Sequence, residues 1–268
     1  MAEAGEANRA WGEMLAGWAI PRELVDSAPA PPYFFDPQVF TDAAREAVDR
    51  PEDTPSDEVA REALPPGGAV LDVGCGAGAA SLRLRPDRLV GVDPSPPLLE
   101  ALRRAALRLG VAATALEGMW PEAAPSAPVV DVVVCHHVFY NVADLAPFAA
   151  ALDAHARTRV VVELTAEHPM AWMAPYWEAL HGLAQPDRPT ADDAVAVLAE
   201  LGIGASRRRW RRAFQMIGEE GERRLERIAR RLCLPSDRHA ELREVLAAHP
   251  PPVEREVVTL WWDPGRGA

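Results

Sequence analysis

At 268 residues and 49% hydrophobic content the chain can bury a sizeable core in one domain, or in one domain with a small appended lobe, which excludes a disordered, collagen-like or disulfide-scaffold protein. Its 28 basic residues are all arginine and face 40 acidic ones, and the net charge of −12 disfavours a nucleic-acid partner and points to a small molecule or a protein. Cys75, Cys135 and Cys233 are too few and too scattered for a disulfide or zinc framework, and neither a basic-then-apolar leader nor an apolar run of about 20 residues is found, so a cytoplasmic protein with reduced thiols and no membrane span is expected.

Residues 1–66 carry a net charge of −9 and read as helical pieces broken by proline. Trp11, Met14, Leu15 and Trp18 fall at helical spacing, the proline-rich loop at 27–37 holds Tyr33, Phe34 and Phe35, and a second helical stretch covers 39–49. Thr54, Pro55 and Asp57 mark a helix start, with a capping hydroxyl, proline at the first helical position and an acid three residues after the cap. Pro65-Pro66-Gly67-Gly68 ends that helix, so 1–66 is expected to form an N-terminal helical cap, a lid over a substrate site, with a domain boundary near residue 66.

Beyond it, short apolar runs at 69–75, 88–93, 111–118, 129–135 and 159–165 alternate with amphipathic stretches. Near-continuous Val and Leu runs suit strands buried on both faces, and the segments between them suit crossover helices. In 95–110, Ser95 can cap, Pro96 can open and Gly110 can close a helix that puts Leu98, Leu99, Leu102, Ala106 and Leu109 on one face. The alternation predicts a doubly wound α/β sheet. Helices at 168–182, 190–202, 219–234 and 237–248 and strands at 206–214 and 254–262 complete the chain.

The chemistry concentrates in VLDVGCGAG at 70–78. A buried strand runs into Gly74, Gly76 and Gly78 and then into a helical stretch, and glycines there let backbone approach a ligand with no Cβ in between. The second strand ends 19 residues after Gly74 in Asp93, placed to accept hydrogen bonds from both hydroxyls of a ribose. Because Ala79 completes G-x-G-x-x-A, the loop alone also fits a nicotinamide dinucleotide. Asp72 separates the two readings: an acid at that point opposes a pyrophosphate and suits a ligand bearing a sulfonium and an ammonium.

With these residues the chain resembles the class I S-adenosylmethionine-dependent methyltransferases, over about residues 67–165. The resemblance implies a seven-stranded, mostly parallel sheet with an antiparallel last strand, and a Rossmann-like domain over 67–268. It implies S-adenosylmethionine as cofactor, with release of S-adenosylhomocysteine. The cofactor site it implies consists of Asp72, Gly74, Cys75, Gly76, Gly78, Asp93, Pro94, Gly118, Met119, Trp120, Cys135 and His136. Asp93 would hold the ribose, the loop of Glu117, Gly118, Met119 and Trp120 would contact adenine, and Cys135 and His136 would lie beside the methionine moiety. The chain departs from the family at Met119, where many members carry an acid for the adenine amino group, which leaves adenine to backbone amides and an apolar or Trp120 face.

His136 and His137 are adjacent, so on a continuing strand they point to opposite sides and only one can face the site. The resemblance places His137 or Tyr140 toward the acceptor, where either could act as acid or base. Transfer from a sulfonium depends more on in-line approach than on a strong base. Glu163, at the carboxyl edge of the fifth strand, is expected to orient the acceptor. The spacing of His137, Glu163, Glu167 and His168 matches no metal-ligand pattern, and no metal is expected. Trp11, Tyr33, Trp172 and Tyr176 are candidates to line an aromatic acceptor pocket, with core packing as the competing role for such residues. The arginine run of Arg207, Arg208, Arg209, Arg211 and Arg212 reads as the charged guard of an edge strand, with binding of an anionic acceptor or nucleic acid as the competing role. No phosphate-binding P-loop, no G-x-S-x-G elbow and no Asn/Asp-Pro-Pro-aromatic motif after the fourth strand is present. The expected protein is therefore a monomeric or homodimeric enzyme that methylates an oxygen, nitrogen or carbon of a small, possibly aromatic molecule. The alternatives are a nicotinamide-dependent oxidoreductase and a non-catalytic cofactor-binding regulatory protein on the same fold.

Overall fold

Seven strands form one sheet in the computed structural model, which describes residues 5–33, 37–49, 53–214 and 221–265. They are β1 (Ala69–Val73), β2 (Arg88–Asp93), β3 (Ala112–Glu117), β4 (Val130–His136), β5 (Ala156–Thr165), β6 (Ser206–Ala213) and β7 (Glu254–Trp262), in the order β3-β2-β1-β4-β5-β7-β6. β1 to β5 pair in parallel, and β7 runs antiparallel between β5 and β6. The Val and Leu runs alternate between two cores. Leu71, Val73, Val133, Val160 and Val162 face one, and Val70, Val132, Val134 and Val161 face the other. Both faces are dry because both carry helices, which is what a parallel sheet requires.

On one face lie α4 (Pro55–Ala63) and α5 (Pro96–Leu109). Leu98, Leu99 and Leu102 of α5 are buried, each contributing about 2 kcal/mol of burial, and Gly110 closes the helix at φ 70°. Ser95 caps by position only, without a side-chain bond. α4 carries the expected capping box between Thr54 and Asp57 and packs on β4, β5 and β7. The boundary expected near residue 66 thus falls between a helix and the sheet that helix covers. α6 (Leu145–His155) and α8 (Ala191–Glu200) cover the opposite face, and α1 (Glu6–Ala16) packs against both. The Glu200 carboxylate accepts from the Ala7 and Asn8 amides in the first turn of α1.

α2 (Arg22–Ser27) joins α7 (Ala174–His181), α9 (Glu222–Arg231) and α10 (His239–Ala248) in a separate apolar cluster, and α3 (Pro37–Asp49) packs on α5. The helix expected after the glycine loop shrinks to turns and one 3-10 turn at Leu82–Leu84. Arg85 adopts the left-handed region at φ 51°, Pro86 follows, and β2 begins at Arg88. Phe34 and Phe35 lie outside the described residues. Among the described residues no helix is long and apolar enough to cross a membrane.

Candidate active site

The glycine loop turns off β1 through left-handed backbone at Gly74 (φ 69°), Gly76 (φ 50°) and Gly78 (φ 91°). The amides of Gly74 and Cys75 donate to the Val92 carbonyl at 2.9 and 3.1 Å and tie the loop to β2. The three glycines have different reasons. A Cβ on Gly74 would strike Val138, and one on Gly78 would lie 2.5 Å from Leu102, whereas one on Gly76 would meet nothing within 4 Å. Gly76 therefore presents bare backbone to open space.

Asp93 is buried at the tip of β2, where one oxygen accepts from the Gly76 amide and the other from the Ser95 amide, both at 2.9 Å. Each oxygen keeps a lone pair for a further donor. Asp72 is 1% exposed, and its Oδ2 accepts from the Ser81 hydroxyl at 2.6 Å. Its Oδ1 is buried with no partner. Burial pushes this carboxyl up to about 6 against the opposing pull of Ser81 and His136. A buried carboxylate oxygen left unpaired is a place where an incoming cationic donor is strongly favoured.

At the end of β4 the structure corrects the reading of the two histidines. The strand stops at His136, and His137 takes φ 61°, so the chain turns back instead of alternating. The His137 amide donates to the Glu163 carbonyl at 2.6 Å, and its Nε2 lies 3.0 Å from Glu163 Oε1. His136 Nδ1 lies 3.9 Å from Oε2, so both rings face one carboxylate. Glu163 also accepts from the Ser56 hydroxyl at 2.7 Å and from Arg212 at 3.4 Å. Ser56 meets the Thr259 hydroxyl, which in turn accepts from Trp210 Nε1 at 3.0 Å. Burial alone would push the Glu163 carboxyl up, but His136, His137 and Arg212 outweigh it and hold the group well below the usual carboxylate range. With Nε2–H of His137 donated to this anion, Nδ1 is the ring nitrogen left to accept a proton.

Ser56 and Arg212 were not among the residues singled out for the site. Ser56 sits in the segment read as a cap, and Arg212 ends the run read as an edge guard. The available signal was the period of two, which puts Arg208, Trp210 and Arg212 on one face of β6. The rest of the run is neutralised at the surface: Arg207 pairs with Asp192, Arg208 with Glu58, Arg209 with Asp192 and Glu256, and Arg211 with Glu254.

Several expected site residues are packing residues. The Tyr140 hydroxyl donates to the Thr165 carbonyl at 2.8 Å, its ring stacks on Trp11, and burial pushes its phenol far up, so it is no proton acceptor. Trp11 is fully buried and donates to the Val142 carbonyl at 2.8 Å. Tyr176 is likewise enclosed, donating to the His249 carbonyl, and Trp172 packs edge-on between it and Phe214. Tyr33 is half exposed, stacked under the Arg231 guanidinium and far from this group in sequence and packing. Trp120 is buried with its indole nitrogen toward the Phe148 carbonyl, which leaves Glu117 and Met119 as the exposed side chains of that loop. The Gly118 amide donates to the Asp93 carbonyl at 3.2 Å and brings the loop to the β2 tip, where Pro94 is exposed. The Cys75 and Cys135 thiols are buried in the two cores, where burial pushes both up, so only their backbone reaches the loop and the strand end. No group of three or more His, Cys, Asp or Glu among the described residues could hold a metal ion.

A family model described as a methyltransferase domain matches residues 70–158, the stretch holding the glycine loop, Asp93 and both histidines. Over these residues the chain is similar to a methyltransferase domain. The chain is 36% identical to the ribosomal protein L11 methyltransferase of Vibrio campbellii over 89 residues, which is 32% of this chain and 30% of that protein. It thus spans about a third of the length of the curated relative it matches. A solved S-adenosylmethionine-dependent methyltransferase from Thiobacillus denitrificans, in complex with S-adenosylhomocysteine, superposes with a TM-score of 0.52 at 16% identity, covering 86% of this chain and 99% of that one. The YcgJ protein from Bacillus subtilis gives 0.52 at 15% identity, covering 78% and 97%. At such identities the likeness is one of fold. S-adenosylmethionine, the cofactor expected from the sequence, fits the residues of this site: bare backbone at Gly76, spare lone pairs on Asp93 for a ribose diol, and the unpaired Asp72 oxygen for an ammonium.

Proposed function

We propose that the protein transfers a methyl group from S-adenosylmethionine to an oxygen, nitrogen or carbon nucleophile of a small molecule. The observation that carries this reading is the buried, unpaired Asp72 Oδ1 beside a glycine loop whose Gly76 face is open. A pyrophosphate would be repelled there and an ammonium is welcomed. When bound, the cofactor supplies a methyl group already activated on a sulfonium, so the chain's tasks are to position, to exclude water and to receive a proton.

Asp93 holds the ribose, Asp72 the ammonium, and Gly118 and Met119 flank the adenine. Glu163, ionised throughout the working range, fixes the His137 tautomer so that Nδ1 can take the proton of an acceptor hydroxyl or neutral amine as the new bond forms. Ser56, Thr259 and Trp210 hold the far side of that carboxylate still. The N-terminal segment closes the acceptor side by bracing the connection after β4. The Asn8 amide nitrogen donates to Asp144, its oxygen accepts from the Ala146 amide, and Trp11 bonds Val142.

Calorimetric titration with S-adenosylmethionine, S-adenosylhomocysteine and NADH tests the reading. Binding of the two adenosyl ligands at about micromolar Kd, lost by about 30-fold or more in Asp93→Ala, is the expected result. Binding of NADH alone would assign the loop to a dinucleotide, and binding of none would leave the fold without its cofactor.

A further inference from the structure

We propose that the methyl acceptor carries a carboxylate, seated on Arg212 and Arg255 beside the Glu163–His137 pair. This rests on the methyl-transfer reading above. The β6–β7 register sets Arg212 directly opposite Arg255. Directly opposed residues of an antiparallel pair share a face at close range, and two like charges there destabilise the ladder unless something lies between them.

The local acids do not balance this pair. Arg212 meets Glu163 at 3.4 Å, and Glu163 is also the acid that acts on Arg255. That single carboxylate is already shared with His137 at 3.0 Å and the Ser56 hydroxyl at 2.7 Å. The Arg255 Nε is buried and has no hydrogen-bond partner among the described residues. Its chain neighbours Glu254 and Glu256 alternate to the other face of β7, where they take Arg211 and Arg209. Every other arginine of the 207–212 run is neutralised at the surface, so the surplus is confined to these two.

Counting guanidiniums against the carboxylate leaves one positive charge in excess, which matches a monoanion better than a phosphate. Two planar forks can each take a carboxylate oxygen pair, a geometry a neutral amide cannot return. The location also suits an acceptor. Glu163 Oε1 touches both Arg212 and the His137 ring, and the glycine loop packs against Val138, the residue after His137. A carboxylate on the arginines therefore lies one side chain away from the nitrogen that would take the proton. Arg212, with 37% of its side chain exposed, can be reached from solvent.

Titration of the S-adenosylhomocysteine-loaded protein with benzoate and with benzamide reads the site directly, in the wild type, Arg212→Gln and Arg255→Met. Benzoate should bind in the millimolar range, benzamide about tenfold more weakly or not at all, and each variant should lose about tenfold in benzoate affinity. The S-adenosylhomocysteine Kd should stay within about twofold in both variants, and the melting temperature of Arg255→Met should not fall, because removing that guanidinium relieves the like-charge pair. Equal binding of acid and amide, no benzoate binding, or a preference for inorganic phosphate would overturn the proposal. So would loss of S-adenosylhomocysteine binding in Arg255→Met at unchanged melting temperature, which would assign the arginines to the cofactor's own carboxylate. A wild type that binds no S-adenosylhomocysteine would sink the methyl-transfer reading instead, and benzoate titration of the cofactor-free protein would still decide the anion site.

Discussion

Replacing Asp72 by asparagine should make the cofactor-free protein more stable as the pH rises, relative to the wild type, while weakening its hold on the cofactor. Asparagine keeps an acceptor for the Ser81 hydroxyl and nearly the same volume, and it removes only the charge. Burial lifts the Asp72 carboxyl from 3.8 to about 6 in the fold. A raised acid favours the fold below its unfolded pKa, and that advantage is lost as pH climbs from 3.8 through about 6. A gap of about 2 in pKa corresponds to about 3 kcal/mol, lost by the wild type between about pH 4 and pH 7 and not by the variant. His168, which burial holds down to about 4, works with the opposite sign, since the stability it contributes is lost as pH falls from 6.5 toward that value. It is common to both proteins and cancels in their difference. The new amide, lacking a partner at the Oδ1 position, adds an offset that does not vary with pH. Urea unfolding of both proteins without ligand at several pH values between about 4 and 7 therefore isolates the carboxyl. A wild-type-minus-variant difference that is flat across this window, or that rises with pH, would refute the assignment of Asp72 as a buried anion awaiting its partner.

Gly78→Ala should cost about 2–3 kcal/mol in urea unfolding, since its Cβ meets Leu102 at 2.5 Å and Leu82 at 2.8 Å with φ at 91°. Gly76→Ala, with φ at 50° and open space at its Cβ, should cost only about 1 kcal/mol of stability while adenosyl-ligand affinity falls by more than that; equal losses would mean that no ligand approaches there. Glu163→Gln should lower kcat for methyl transfer by about 100-fold with the S-adenosylhomocysteine Kd little changed, and undiminished turnover would remove His137 from proton transfer. Tyr140→Phe should lose about 1–2 kcal/mol by stranding the Thr165 carbonyl yet keep kcat within a few-fold, and the reverse pattern would restore Tyr140 to the chemistry.

The parts of the fold legible in the sequence were those with local causes. The bounds of β2 and β7 follow from their apolar runs, and α5 from Pro96, its leucine face and Gly110. The helix after the glycine loop was not legible, because Arg85 and Pro86 end it before its periodicity is established. Nothing in the run Cys135-His136-His137-Val138 announces the left-handed turn that brings both rings to one side. Glu163 could be placed at the sheet edge, but Ser56 lies 107 residues from it and Arg212 lies 49 away, and only the strand order brings them together. Trp11 and Tyr176 have the composition of a binding pocket, and only the helices packed around them reveal that their rings are enclosed.

The bonds that hold α1 join very distant parts of the chain. Glu200 reaches back 193 residues to the Ala7 amide, and Asn8 reaches forward 138 to the Ala146 amide. Contacts of such separation form late, after the loop-closure cost of everything between them has been met. Docking of α1 therefore begins with its partners at 142–146 and is completed only with Glu200. Because β6 and β7 lie beyond Glu200 in the chain, every partner of α1 is present before the last two strands can pair, so the segment that follows the two histidines can be anchored on that side before the sheet is complete.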